Sequence, residues 1–249
     1  MGDAEGGNLA SIGRSRRLLD RGYPEAMPPK RPVLGLLMLD TRFPRVVGDV
    51  GHPATFGFAV RRQVVRGAAP GRIVREADPQ ALAAFVDAGQ ELVREGVSAI
   101  ATSCGFLARW QRELQAALPV PVWTSSLLAL TEELRGQRCG VITIEAASLT
   151  REHFEGVGAD PATPVEGISP GSALHRTLLD DLPMLDETDA RVQVLAAGQR
   201  LVAREPGLQA LLLECTNLPP YAAALREATG LAVHDIVNVL TRRMAGLQM

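Results

Sequence analysis

Two of the chain's three cysteines stand at the ends of stretches that look like copies of each other. Ala88-Gly89-Gln90-Glu91-Leu92-Val93 leads through Gly96 into the apolar run Ala99-Ile100-Ala101-Thr102-Ser103 and stops at Cys104. Ala197-Gly198-Gln199-Arg200-Leu201-Val202 leads through Gly207 into Ala210-Leu211-Leu212-Leu213-Glu214 and stops at Cys215. In both, a helical period passes through a glycine into a buried-strand pattern with the cysteine at its carboxyl end. A thiol there, just before a following helix, occupies the place where α/β folds put ligand-contacting groups. The free N–H groups of the helix start favour a bound carboxylate and also the thiolate. Since an ordinary cysteine titrates at about 8.5, a modest shift makes it a base at neutral pH. Two such thiols in two equivalent lobes flank a cleft. That suits removing a proton from one face of a carbon and returning it to the other. The developing carbanion needs hydrogen-bond donors, for which Ser103 and Gly105 beside Cys104, and Thr216 and Asn217 beside Cys215, are the candidates. Cys139 opens a strand, the wrong end for a site, and reads as a packing residue.

The elements that must position these residues are legible in outline. Residues 1–31 lack a sustained period and read as a flexible arm. The continuous apolar run 33–39 reads as a central strand, and the Gly- and Pro-containing stretch 42–57 as a long loop at its carboxyl edge. Asp78-Pro79 predicts a helix start, with a strand at 97–102, a short strand at 119–123 and a helix at 127–134 capped by Thr124-Ser125-Ser126. The pattern restarts with a strand at 138–144, near whose carboxyl end Thr143 is a further candidate for ligand contact. A loop-rich segment 155–185, a helix 187–204, a strand 208–213, a helix 222–228, a strand 231–233 and a closing helix 235–244 follow. The two cysteines are 111 positions apart, and at that offset Gly96 matches Gly207, Leu114 matches Leu225 and Val122 matches Val233; Gly35 matches Gly140 between the two opening strands. The expected architecture is α/β, with two pseudo-symmetric lobes, each a mostly parallel sheet flanked by helices, and a cleft between them. Residues 32–125 with the returning 235–249 form the N-lobe, and 126–234 the C-lobe.

Composition narrows the function classes. With 26 basic and 28 acidic side chains the net charge is -2, and no basic run interleaves with aromatics, so nucleic acid and anionic membrane are not the expected partners. A small neutral or anionic metabolite is. There is no apolar stretch of about 18 residues and no secretory core at the N-terminus, which predicts a cytoplasmic protein. The cysteine spacing matches neither a zinc site nor a disulfide framework, and glycines 48, 51 and 57 form no phosphate-binding fingerprint. His52, in the same loop, reads equally as cleft-facing or solvent-facing.

Thr102-Ser103-Cys104-Gly105-Phe106 and Glu214-Cys215-Thr216-Asn217 resemble the aspartate/glutamate racemase superfamily, which includes hydantoin racemases, maleate isomerases and arylmalonate decarboxylases. The resemblance covers about residues 32–245. It implies cofactor-independent chemistry with Cys104 and Cys215 as the two bases, no metal, and a homodimer. Asp40-Thr41 matches the acidic and hydroxyl pair that often ends the family's first strand, and Thr55 the small hydroxyl residue of its loop, so Asp40 and Thr55 join the substrate-binding candidates. Glutamate racemases usually carry Cys-Asn-Thr and Cys-Thr-His where this chain has Cys104-Gly105-Phe106 and Cys215-Thr216-Asn217, which speaks against glutamate as the substrate. The reading these residues support first is a racemase or epimerase acting on an amino acid or related small carboxylate by two-cysteine proton transfer. The alternatives are a cis-trans isomerase or lyase acting on a small dicarboxylate with one cysteine as nucleophile, and a non-catalytic ligand-binding or redox-regulated protein.

Overall fold

The run that follows Pro32 forms β1 (Leu34–Leu39), buried along its whole length as a central parallel strand requires. The computed structural model describes residues 31–247, so the arm expected over 1–31 lies outside the described residues but for Arg31. β2 (Val60–Val65), β3 (Ala99–Thr102) and β4 (Val122–Trp123) complete a first sheet in the order β2-β1-β3-β4. β5 (Cys139–Thr143), β6 (Val165–Gly167), β7 (Ala210–Leu213) and β8 (Ala232–Asp235) form a second in the order β6-β5-β7-β8. All pairings are parallel. The two sheets are the α/β pair that the repeated stretches predict.

The repeat extends to register. Gly35 pairs with Ile100 and Gly140 with Leu211; Ile100 pairs with Val122 and Leu211 with Val233. The strands before the two cysteines therefore sit identically in their sheets. Gly96 and Gly207 both adopt positive φ, at 81° and 92°, which is why a glycine ends the helical pattern in each copy.

The helices are α1 (Ala81–Arg94), α2 (Gln111–Ala117), α3 (Arg151–Val157), α4 (Ala173–Leu179), α5 (Glu187–Arg204), α6 (Ala222–Thr229) and α7 (Ile236–Gly246). Within α1 and α5, Gly89 and Gly198 let the helices settle on Leu118 and Leu225, whose side chains a Cβ would meet at 2.7 and 2.3 Å. α7 closes the chain against the segment after β4. Arg243 reaches Glu132 at 2.7 Å and lies over the Trp123 ring.

Two local expectations are corrected. Asp78 does not cap α1, whose first residue is Ala81; its carboxylate instead accepts from Gln80 N at 2.9 Å and pairs with Arg72 at 2.6 Å. The helix expected over 127–134 is a 3-10 turn, Ser126–Leu130, followed by turns, with Ser125 Oγ accepting from Leu127 N. The stretch 155–185 is loop-rich as expected, with the end of α3, β6 and α4 set within it. Gly156 sits inside α3, where the absence of a side chain lets the helix approach Ala108, whose carbonyl oxygen a Cβ would meet at 2.2 Å. The helix start is a capping box in which His153, rather than the usual Glu or Gln, stands three residues after Thr150.

α5 starts where its sequence predicts, because Asp186 Oδ1 accepts from both Thr188 N and Asp189 N at 3.0 Å. Asp186→Ala is expected to lower stability by about 1 kcal/mol. The check is a lower urea midpoint with an unchanged slope.

Candidate active site

β3 and β7 each end one residue short of the pre-cysteine position, so Cys104 and Cys215 emerge at the carboxyl edges of the two sheets. Both border one cavity of about 30 Å³. Ser103, Gly105 and Phe106 line it on the Cys104 side, and Thr216 and Asn217 on the Cys215 side. Leu39, Phe43, Pro70, Val74, Ile144, Leu178 and Leu179 make the rest of the wall apolar. Both thiols are nearly closed off from solvent, at 7% and 6% exposure.

The two thiols have different surroundings. Cys104 is extended and precedes the 3-10 turn Gly105–Trp110, so the N–H groups of Phe106 and Leu107 are directed at it and favour the thiolate, as does the charge of Arg45. Burial and the negative charge of Glu214 outweigh these and push the thiol up to about 12. Cys215 is raised well above its ordinary value by burial first, then by Glu214, Cys104 and Asp49, against one favourable backbone N–H from Asn217. Its Sγ donates to Asn217 Oδ1 at 3.6 Å.

Asn217 is held in that orientation from behind. Its Nδ2 donates to Asp49 Oδ2 at 2.6 Å, while Asp49 Oδ1 accepts from Arg45 Nη1 at 2.8 Å and Gly51 N at 2.7 Å. Arg45 in turn reaches Thr41 Oγ1 and lies 4.8 Å from the Phe43 ring centre. The amide is thus fixed with its oxygen towards the sulfur, and the loop 41–51 of the first half is tied to the second cysteine. Thr216 makes a further tie across the halves, its hydroxyl donating to Ser103 O at 2.7 Å.

A clasp closes the apolar side of the cavity. Asp181, a non-glycine residue at φ 54°, accepts with Oδ1 from the backbone N–H groups of Arg42 and Phe43 at 2.6 and 3.1 Å and pairs with the Arg42 guanidinium at 3.1 Å. Such a backbone conformation persists where surrounding contacts hold it. Arg75 bridges Asp180 at 3.0 Å and Glu145 at 3.3 Å, and Glu145 also meets His175 Nε2 at 3.2 Å.

Seven of the nine residues singled out from sequence lie at or beside this cavity. Cys104, Cys215, Ser103, Gly105, Thr216 and Asn217 line it; Thr143 stands just behind, its hydroxyl donating to Glu214 Oε2 at 2.6 Å. The other two do not reach it. Asp40 is exposed and caps a turn, its Oδ2 accepting from Gly67 N at 3.0 Å. Thr55 staples its own loop, donating to Asp49 O at 2.6 Å and accepting from Gly48 N. His52 likewise turns into its loop, its Nδ1 accepting from Ala54 N at 3.1 Å. Cys139 is buried at the amino end of β5, away from the cavity lining.

The sequence reading missed Arg45, Asp49 and Glu214 as site residues. Glu214 had a signal: a carboxylate closing a wholly buried run of Ala and Leu. It is fully buried, and burial pushes its carboxyl up to about 7 against the Thr143 hydrogen bond. Among the described residues no group of three or more His, Cys, Asp or Glu side chains is placed to hold a metal ion, and no helix is long and apolar enough to cross a membrane.

Known proteins resemble this chain in sequence and in fold. The chain is 26% identical to dimethylsulfoniopropionate lyase 7 of Emiliania huxleyi over 94% of this chain and 79% of that protein. It is 27% identical to a dimethylsulfoniopropionate lyase of Durusdinium sp. clade D over 93% and 81%. Among solved structures it is similar to unliganded arylmalonate decarboxylase (TM-score 0.58, 13% identity, 87% and 92% of the two chains). It is also similar to the allantoin racemase of Klebsiella pneumoniae (TM-score 0.58, 15% identity, 86% and 87%). The family described as Asp/Glu/hydantoin racemase matches residues 76–244, a span that contains both cysteines, β3 and β4 of the first sheet and the whole of the second. The two thiols that border this cavity thus stand in a chain that belongs to the Asp/Glu/hydantoin racemase family of enzymes.

Proposed function

We propose that this protein is a carbon–sulfur lyase that takes a proton from the carbon next to a carboxylate and expels a leaving group from the following carbon, with dimethylsulfoniopropionate as its first candidate substrate. The observation that carries elimination over racemisation is the similarity, along nearly the whole chain, to two dimethylsulfoniopropionate lyases. This replaces the dicarboxylate expected from sequence for the lyase alternative with a monocarboxylate bearing a cationic sulfur.

The unequal surroundings of the thiols assign their roles. Cys104, with two backbone N–H groups and the Arg45 charge on its side, is the thiolate; Cys215, donating to a fixed Asn217, stays protonated. The thiolate takes the α-proton and becomes a thiol. The electrons of that C–H bond form the new carbon–carbon double bond, and the carbon–sulfur bond breaks with its pair leaving on dimethyl sulfide, so acrylate remains. The leaving group departs neutral and needs no acid. Cys215 and the Ser103 hydroxyl, which accepts from Leu39 N at 2.9 Å and keeps its own O–H, then serve to hold the carboxylate as charge builds on it. The cavity is small, at about 30 Å³, and Phe43, Leu178 and Leu179 of its apolar wall lie next to the Asp181 clasp.

The purified protein incubated with dimethylsulfoniopropionate is expected to release dimethyl sulfide and acrylate in equal amounts. The second reading, two-base racemisation of an amino acid or related carboxylate, rests on the two thiols bordering one cavity from opposite halves. It would be preferred if no dimethyl sulfide formed and a candidate amino acid in heavy water gained α-deuterium with inversion.

A further inference from the structure

Glu214 is a wholly buried carboxyl beside the two cysteines. It follows β7 and immediately precedes Cys215, has no exposed surface, and touches both halves of the site. Its Oε2 accepts from Thr143 Oγ1 at 2.6 Å. Its Oε1 has no hydrogen-bond partner among the described residues, and it lies so close to Gly105, the residue after Cys104, that a Cβ there would be 2.2 Å away. The groups facing it are the Thr143 hydroxyl, the Gly105 backbone and the two thiols, each of which its charge disfavours as a thiolate. Arg45 acts on Cys104 but is paired with Asp49, and Asp49 adds its own negative charge beside Cys215. Among the described residues no arginine, lysine or histidine pairs with Glu214; burial disfavours its anion and the Thr143 hydrogen bond favours it.

A buried carboxylate without a cation and with one oxygen unpartnered is expensive as an anion. A thiolate formed beside it would place two like charges in one desolvated site, which raises the cost of both. The site therefore accommodates one negative charge, on the carboxyl or on a thiol, but not on both.

We infer that Glu214 is a third proton-carrying group of this site, whose carboxyl must be neutral for the Cys104 thiolate to form. The exchange is balanced: a Cys104 thiol and a Glu214 carboxylate become a Cys104 thiolate and a Glu214 carboxylic acid, the proton passing from sulfur to carboxylate oxygen with no change in total charge. Such coupled groups titrate as a set rather than singly. Glu214 thus acts through the thiols and need not touch substrate. The inference rests on the reading of Cys104 and Cys215 as the reactive pair and adds the group that sets when they ionise.

The test is thiolate absorbance at 240 nm followed from pH 6 to 12 in a Cys139→Ser background, which leaves only the two site thiols. Glu214→Gln keeps the shape and removes the charge, so the thiolate midpoint is expected to fall by about one pH unit, equivalent to about tenfold more thiolate at a given pH. Thr143→Val removes the hydrogen bond that favours the Glu214 anion and should move the midpoint the same way by a smaller amount, which keeps the inference testable should Glu214→Gln fail to fold. Titration curves that coincide with the parent, whether or not a thiolate is seen, overturn it. The measurement uses no substrate. A shifted midpoint in a protein that releases no dimethyl sulfide leaves this inference standing and removes the lyase reading.

Discussion

Cys104→Ser is expected to lower kcat/KM for the eliminated substrate by about 10³-fold, and Cys215→Ser by a factor of about 10² or more, with the pH profiles separating the two. Loss of a positioned acid or base costs about 10²–10⁴-fold, and a serine hydroxyl does not ionise in the range where a thiol can. The profile of kcat/KM reports groups of the free enzyme. If Cys104 is the thiolate, the limb that rises with pH belongs to it and persists in Cys215→Ser, while the residual rate of Cys104→Ser is flat. The structural ground for this asymmetry is local. The N–H groups of Phe106 and Leu107 and the charge of Arg45 favour ionised Cys104, whereas Cys215 donates to an amide oxygen that Asp49 holds in place. A rising limb that vanished in Cys215→Ser and survived in Cys104→Ser would reverse the roles. Equal losses with equal profiles would favour two-base racemisation, in which each thiol serves in turn.

How far the sequence carried the fold and the site depended on whether a residue's signal was local. β1 and β7 are legible because strands buried on both faces must be apolar throughout, and α5 because its cap, its length and its final Arg204 agree. The repeat was legible down to register, since Gly96 and Gly207 hold the same positive φ before equivalent strands. α3 and α4 were not, because Gly156 serves the close packing of a helix on Ala108 and looks like a breaker when that neighbour is out of view. The cysteines were legible as strand-end residues, whereas Asp49 was not: its role comes from Arg45, Gly51 and Asn217 meeting at one carboxylate, and the last of these is distant in sequence. Asp40 and Thr55 show the reverse. A family pattern placed them at the substrate, and the folded loop spends their oxygens on Gly67, Gly48 and Asp49.

Gly105 was read as a departure from the relatives' asparagine, and the structure supplies its reason, from which the second large effect follows. A Cβ at residue 105 would stand 2.2 Å from Glu214 Oε1 and 2.4 Å from Glu214 O. The side chain can swing, but the carbonyl cannot, because Glu214 N donates to Ile142 O at 2.8 Å and the chain there is the end of a central strand. Backbone conformation is not the obstacle, as Gly105 does not adopt positive φ. Gly105→Ala must therefore lift the 3-10 turn that carries Cys104 or push out the Glu214 carboxyl with loss of its Thr143 bond. Overpacking costs about 1–3 kcal/mol, and a displaced hydrogen bond to a buried group adds to it, so stability is expected to fall by about 3 kcal/mol and kcat/KM by 10²-fold or more. Gly140→Ala is the control: its Cβ meets side-chain atoms of Leu201 and Leu208, at 2.8 Å, rather than backbone, and its cost should be smaller. Urea unfolding of the two variants side by side decides the matter. Gly105→Ala unfolding no more readily than Gly140→Ala would mean that Glu214 does not lie against residue 105, and the crowding of carboxyl and thiols into one buried site would lose its geometric basis.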